Sequence, residues 1–236
     1  MKAVILAGGL GTRLAPLTQI IPKPLLPIGE RAVLELQILH LAHCGIRDIF
    51  IATNYMADYV ESFLGDGTRY DVRLSFSREE QPLGTCGPLT LLKDQLTEMF
   101  LLMNGDILTT LNFSMAAEFA RTLDADMTVV TKEIVTPFHF GKVIGTGNYI
   151  ESVQEKPDIT FEILAGIYFV EPAIFEIVPK NTYYGIDSLI KDLLARNRRV
   201  GKFLCHDYWL DIGQLHDYEA AQKDYDTHFK HLSQNA

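Results

Sequence analysis

Short apolar runs alternate with segments of helical period along this chain, and that rhythm constrains the fold more than any other feature. Lys2–Ala7 is an apolar run closed by glycines, the pattern of a buried strand. Val33–His43 carries Leu34, Ile38 and Leu41 at helical spacing, and Asp48–Thr53 is again an apolar strand. Met56, Tyr59, Val60, Phe63 and Leu64 make one helical face, followed by a short strand over Val72–Phe76. Pro88–Leu96 reads as a helix, Met99–Met103 as a central strand, Phe113–Thr122 as a helix and Asp126–Thr131 as a strand. Strands separated by helices predict an α/β fold with a mostly parallel sheet covered on both faces.

After about Val135 the rhythm changes. Gly141–Ile144, Ile150–Gln154 and Ile163–Val170 read as strands in quick succession, and Pro172–Val178 as a short helix. Ile186–Arg196 sets Ile186, Leu189, Ile190, Leu193 and Leu194 on one face. Val200–Cys205 is a strand, and Tyr208–Gly213 leads into a last helix carrying Leu215, Tyr218, Gln222, Tyr225 and Phe229. From His231 onward the chain is polar, which predicts a frayed end. No Gly/Ser/Pro-rich linker, internal repeat or charge block interrupts residues 1–236, so one domain is expected. Its second half would lay strands and loops over the mouth of the first.

Composition narrows the classes. An apolar share of 47% over 236 residues is enough for a core without disulfides or a structural metal. The three cysteines, Cys44, Cys86 and Cys205, form no CxxC pair, and an odd count argues against a disulfide framework; a reduced, cytoplasmic setting is expected. Only Lys2 precedes the first apolar run, which stops at Gly8, too short for an export signal or a membrane span. A formal net charge of −9 disfavours nucleic acid as a partner. The seven histidines make no HxxxH pattern and no GxSxG is present, so zinc and serine-hydrolase chemistry lack support.

Ligands of open parallel sheets bind beyond the carboxyl ends of the strands, and Gly8-Gly9-Leu10-Gly11-Thr12-Arg13 lies there, after the first strand. Consecutive glycines let backbone N–H groups turn toward an anion. The loop is neither a Walker A loop nor the dinucleotide fingerprint, whose last glycine position is Leu14 here. Alone it also reads as a tight turn. Arg13 and Lys23 suit phosphate oxygens, and two prolines restrict the backbone around Lys23; both cations read equally well as solvated surface charges. Asp106, in Asn104-Gly105-Asp106, ends a central strand where a carboxylate could hold a phosphate-bridging Mg²⁺, although Asn-Gly is also a turn dipeptide. Asp211 is a lone acid in an apolar segment, a second ligand for such a site or an N-cap of the last helix. Glu79-Glu80-Gln81-Pro82 and Gly84-Thr85-Cys86-Gly87 form a loop able to wrap a nucleobase, or an ordinary helix start. Glu155-Lys156, with Gly141 before and Gly166 after, is a candidate grip for sugar hydroxyls and phosphate, or an exposed hairpin end.

In order along the chain stand "AGGLGTRLAPLT…PKPLLPI", "PLGTCGPL", "NGDIL", "EKP", "AGIY" and "WLDIG". This series resembles the sugar-1-phosphate nucleotidylyltransferases, or NDP-sugar pyrophosphorylases, from Met1 to about Tyr225, nearest in motif to the GDP-mannose pyrophosphorylase branch. The resemblance implies a Rossmann-like three-layer αβα sandwich with a mostly parallel mixed central sheet. Within it, residues 1–135 would form a nucleotide-binding half and 136–236 a sugar-binding half with the last helix. It implies the catalytic domain alone, without an appended β-helix acyltransferase or regulatory domain. The implied reaction is attack of a sugar 1-phosphate on the α-phosphorus of a nucleoside triphosphate, with Mg²⁺ as cofactor and pyrophosphate leaving. By this resemblance Arg13, Lys23 and Asp106 are catalytic, and Asp106 and Asp211 hold the metal. Leu6, Ala7, Gly8, Gly9, Gly11, Thr12, Glu80, Gln81, Pro82, Gly84 and Thr85 would bind the nucleotide. Asn104, Gly105, Gly141, Glu155, Lys156 and Gly166 would bind the sugar phosphate.

The chain departs from the common family pattern at Phe140, where many relatives have Tyr, and at Cys86, where Ala is frequent and which reads as a small buried residue. Guanine offers an N–H and an amino group side by side, which a carboxylate of Glu79 or Glu80 could accept; uracil and thymine suit Gln81 or backbone better. The expectation is therefore GTP with a mannose- or heptose-type 1-phosphate. UTP, dTTP or CTP, or a non-catalytic NDP-sugar-binding subunit of the same fold, are the alternatives, and a homo-oligomer stays open. A nicotinamide dehydrogenase fails at Leu14 and at Thr53-Asn54, where an acid would be required.

Overall fold

The structure is a computed structural model that describes residues 1–234. Strand β1 (Lys2–Leu6) enters the glycine loop, and a minimal hairpin, β2 (Pro27–Ile28) and β3 (Arg31–Ala32), leads to α1 (Val33–His43). Next come β4 (Asp48–Thr53), α2 (Ala57–Leu64), β5 (Arg73–Arg78), β6 (Phe100–Asn104), β7 (Ile107–Thr109) and α3 (Phe113–Thr122). The second half holds β8 (Met127–Pro137), β9 (Lys142–Thr146), β10 (Tyr149–Gln154), β11 (Asp158–Val170), α4 (Ile186–Ala195), β12 (Val200–Leu204), β13 (Trp209–Asp211), α5 (Leu215–His228) and α6 (Lys230–Gln234).

Among the described residues a seven-stranded sheet runs in the order β12-β8-β11-β6-β1-β4-β5. All neighbours pair parallel except β11, which is antiparallel to both β6 and β8. The expected mostly parallel mixed sheet is therefore present. The continuous apolar run of β1 has a direct cause, because successive side chains point to opposite faces and both faces are covered. Ala3 and Ile5 join one core cluster, with the buried faces of α1, α2, α3 and α5. Val4 joins the other, with Leu189 and Leu193 of α4 and Leu89 and Leu92.

Several boundaries differ from the sequence reading. The helix expected over Pro88–Leu96 is a 3₁₀ segment, Gly87–Leu92. There the Thr90 hydroxyl donates to the Gly87 carbonyl at 2.7 Å, an alternative to regular α-helical pairing. The segment Pro172–Glu176 is likewise 3₁₀. Strands β8 and β11 are longer than expected because their outer halves pair with each other as a two-stranded arm, from Lys132↔Ile163 out to Pro137↔Asp158. The last long helix stops at His228, one residue before Phe229. In place of the expected fraying, a short helix, α6, returns against α1 and buries Leu232 to 5% exposure. Residues 235–236 of that predicted tail lie outside the described residues. The minimal β2–β3 hairpin and the antiparallel pairing of β7 with the distant β13 were not expected at all.

Candidate active site

The chain order creates the site. From β1 it crosses through α1 to β4 on one side, and later returns through β6 to the other side of β1. A crevice opens beyond the carboxyl ends of strands at such a reversal. Two adjoining cavities lie there, of about 330 and about 420 Å³, and Leu6, Gly9, Leu10 and Asp106 line both.

The glycine loop is held in one shape. Gly11 has φ +63°, and an added Cβ would lie 2.8 Å from Thr18 Cγ2 and 2.9 Å from Lys23 Cβ, so only glycine fits. The buried Thr18 hydroxyl donates to the Gly11 carbonyl at 2.8 Å. Lys23 sits in a 3₁₀ turn, Lys23–Leu25, between Pro22 and Pro24, and forms an ion pair with Asp106. Its side chain is 11% exposed and that of Asp106 is 25%, so the pair lies mostly inside the protein.

Asp106 and Asp211 come together through β7 and β13. The register sets Asp211 opposite Ile107, and the Ile212 N–H donates to the Asp106 carbonyl at 2.9 Å. Burial pushes the Asp211 carboxyl above its ordinary range, and the neighbouring Asp106 charge adds to this; Lys23 and Arg13 oppose it. Asp211 Oδ1 is buried without a hydrogen-bond partner. Arg13 closes this end, since a Cβ added at Gly213 would lie 3.5 Å from Asp211 Oδ1 and 3.6 Å from Arg13 Nη1. Thus two carboxylates and two cations converge where the sequence reading asked whether they would.

Among the described residues no group of three or more His, Cys, Asp or Glu side chains is placed to hold a metal by itself. The donor set still fits Mg²⁺. Asp106 and Asp211 offer hard oxygens, one of them a buried oxygen lacking any partner, and Mg²⁺ is usually bound by one or two carboxylates with substrate phosphates and water completing its shell.

The other candidates divide. Leu6, Ala7, Gly9, Gly11, Thr12, Arg13, Lys23, Gly105 and Asp106 line the first cavity. Gly8, Pro82, Gly84, Thr85 and Asn104 line the second, together with Glu79, Asn54 and Tyr183. Gly166 abuts Asn104, whose Nδ2 would be 2.8 Å from an added Cβ. Glu80 and Gln81 line neither cavity, and Gln81 is exposed, reaching the Asn181 carbonyl at 3.4 Å. Gly141, Glu155 and Lys156 are exposed, flank the open end of the β9–β10 hairpin and line neither cavity, and Glu155 and Lys156 face each other at 3.9 Å.

Sequence reasoning missed Gln37. This buried α1 residue donates from Nε2 to the carbonyls of Asn104 at 3.0 Å and Ile107 at 2.7 Å, bracketing Gly105-Asp106. Its only signal was an amide among the apolar residues Leu34, Leu36, Ile38 and Leu39 of α1. Glu79, rather than Glu80, faces the cleft. Burial raises its carboxyl above the ordinary range, against a hydrogen bond from the Leu83 N–H at 2.8 Å.

The profile of the family described as Nucleotidyl transferase matches residues 2–228. The chain belongs to the nucleotidyl transferase family. Among curated family relatives, "Mannose-1-phosphate guanyltransferase" of Schizosaccharomyces pombe is 35% identical over 228 residues, covering 92% of this chain. The protein of the same description from Debaryomyces hansenii is 36% identical over 229 residues. This chain spans 62% of the length of both relatives. Solved structures agree on the fold. A putative glucose-1-phosphate thymidylyltransferase from Bacillus anthracis in complex with a sucrose superposes with a TM-score of 0.76 at 26% identity, covering 94% of each chain. HddC from Yersinia pseudotuberculosis complexed with GMP-PN gives 0.74 at 26% identity, covering 95% of this chain and 99% of that one. Among the described residues of this family member, no helix is long and apolar enough to cross a membrane.

Proposed function

We propose that this chain is a sugar-1-phosphate nucleotidylyltransferase that forms an NDP-sugar and pyrophosphate, with GTP and a mannose- or heptose-type 1-phosphate as substrates. The observation that carries this reading is the convergence of Lys23, Arg13, Asp106 and Asp211 at the open end of β1, beside the braced glycine loop.

Nucleotidyl transfer needs alignment and positive charge where negative charge gathers, more than covalent help. An oxygen of the sugar phosphate attacks the α-phosphorus, a new P–O bond forms, and the bond from the α-phosphorus to the bridging oxygen breaks. Both electrons of that bond leave with pyrophosphate. The attacking oxygen is already anionic, so no general base is required. Backbone N–H groups of Gly8 to Thr12 cradle the nucleotide, Arg13 neutralises the triphosphate tail, and Lys23 contacts the phosphates at the reacting centre. Asp106 and Asp211 would hold Mg²⁺, which when bound neutralises charge on the phosphate oxygens it shares. Asn104, Gly105 and Gly166 form the sugar-phosphate side of the cleft. Glu155 and Lys156 join them only if the β9–β10 hairpin moves toward it.

Glu79 is the acid placed to accept the paired N–H donors of guanine, because it lines the second cavity whereas Glu80 and Gln81 do not. Most of the nucleotide side then comes from residues 1–135, with 136–236 adding Gly166 to the sugar side and Asp211 to the metal site, within one domain and in a cytoplasmic setting. Incubation with Mg²⁺ and a matrix of NTPs and sugar 1-phosphates, read as pyrophosphate release, tests the proposal. The highest kcat/KM should fall on GTP. A preference for UTP, dTTP or CTP overturns the base assignment, and no release from any pair overturns the activity.

A further inference from the structure

Tyr183 is a large aromatic side chain left in the open. It is 71% exposed, yet it lines the larger cavity with Glu79, Pro82, Gly84 and Thr85. The adjacent Tyr184 is used structurally, its hydroxyl donating to Asp192 Oδ2 at 2.5 Å and its ring packing against a core cluster. Tyr183 forms no hydrogen bond to another side chain or carbonyl among the described residues.

The backbone beneath the ring is nevertheless fixed. The Tyr184 N–H donates to the Leu83 carbonyl at 2.9 Å, and the Tyr184 carbonyl accepts from the N–H groups of Cys86 at 2.9 Å and Gly87 at 3.2 Å. The Ile186 N–H donates to Thr85 Oγ1 at 2.6 Å. This close approach requires Gly84, where φ is +78° and an added Cβ would lie 2.9 Å from the Tyr184 carbonyl oxygen. The segment around Tyr183 and the loop from Leu83 to Gly87 are therefore sewn together, and the ring stands on a rigid base at the cavity edge.

We propose that Tyr183 is the stacking platform for the nucleobase, a reading that rests on the nucleotidyl-transfer function above. An amphipathic ring carried on fixed backbone loses little freedom when it stacks. Every base has a π-face, so stacking supplies affinity without choosing a base, and the choice falls to edge contacts such as Glu79. Loss of one base–aromatic stack by alanine substitution weakens binding by about 5- to 150-fold.

The experiment is titration calorimetry, with Mg²⁺ present, of GTP, UTP and inorganic tripolyphosphate into the wild type, Tyr183→Phe and Tyr183→Ala. Tyr183→Ala should weaken GTP by about 5- to 150-fold. UTP should weaken in the same direction, and tripolyphosphate should bind as to the wild type. Tyr183→Phe should retain nucleotide affinity, because the face acts rather than the hydroxyl. The proposal is overturned if Tyr183→Ala binds GTP like the wild type, if it loses GTP and tripolyphosphate equally, or if Tyr183→Phe is as weak as Tyr183→Ala. A wild type that binds no nucleoside triphosphate overturns the functional reading itself, a result distinct from a wild type that binds and a Tyr183→Ala variant that binds equally.

Discussion

Replacing Gln37 with leucine should loosen the turn that presents Asp106. In the wild type one amide nitrogen serves two carbonyls, those of Asn104 and Ile107, on either side of Gly105-Asp106. Leucine keeps a similar volume and removes both bonds. A buried acceptor left without its donor costs about 1–3 kcal/mol, and the low end for each carbonyl gives about 2 kcal/mol. The wild type already carries an opposing cost, since Gln37 Oε1 is buried without a partner. Removing that orphan returns up to about 1 kcal/mol, leaving a net loss of about 1–2 kcal/mol. For a chain of this size that is roughly 2–8 °C in Tm. Turnover should fall further than stability suggests, by about tenfold to a hundredfold, because a displacement near 1 Å at a reacting centre can cost that much. Scanning calorimetry and a pyrophosphate-release assay at 25 °C, where Gln37→Leu remains folded, separate the two effects. Unchanged Tm and unchanged turnover would refute the reasoning; lowered Tm with full turnover would confine Gln37 to stability.

Three further outcomes are expected from the same geometry. Arg13→Ala should lower kcat by about 10²–10³, the usual loss for one preorganised charge contact, while its exposed position keeps Tm nearly constant. Asp211→Asn should abolish turnover yet hold or raise Tm without metal, because it removes a half-buried charge beside Asp106; calorimetry showing marked destabilisation would count against this. His40 contributes a pH dependence. Its pKa is held below 6.5 chiefly by burial, with His43 and His231 pushing the same way; the Leu111 carbonyl, 2.9 Å from its Nε2, and Asp207 oppose them. The folded state thus favours the neutral ring. Its contribution is complete above pH 6.5 and is lost as pH falls through the lower folded value, so Tm measured from pH 8 to 5 should drop less in His40→Gln than in the wild type.

Much of the fold was legible because its strongest elements obey one physical rule each. Val33–His43, Asp48–Thr53 and Phe113–Thr122 were read to the residue, since apolar spacing and flanking turn residues coincide there. The outer half of β8 was missed because Lys132, Glu133 and Thr136 lie on an exposed arm, where no core demands an apolar run. Pro88–Leu96 carries helix-like spacing of leucines, but three-residue spacing serves a 3₁₀ turn equally well. At the site, Arg13, Lys23 and Asp106 were legible as chemistry beyond the carboxyl ends of two strands. Asp211 was named as a second ligand by the motif series, but its residues alone left it open against an N-cap, because the β7–β13 pairing that brings it there is a short non-local ladder that no periodicity announces. Gln37 and Tyr183 stayed hidden for the opposite reason. Each is a single residue whose meaning comes entirely from what the fold sets beside it.

The central claim is attack at the α-phosphorus in this cleft. Its most direct measurement is label partition, with GTP carrying ³²P at the α- or the γ-position and mannose 1-phosphate and Mg²⁺ present. The account predicts that α-label enters the GDP-sugar and γ-label leaves as pyrophosphate, in equal amounts and only when the sugar phosphate is added. Release of γ-label as inorganic phosphate, or α-label found only as free nucleotide, would contradict it.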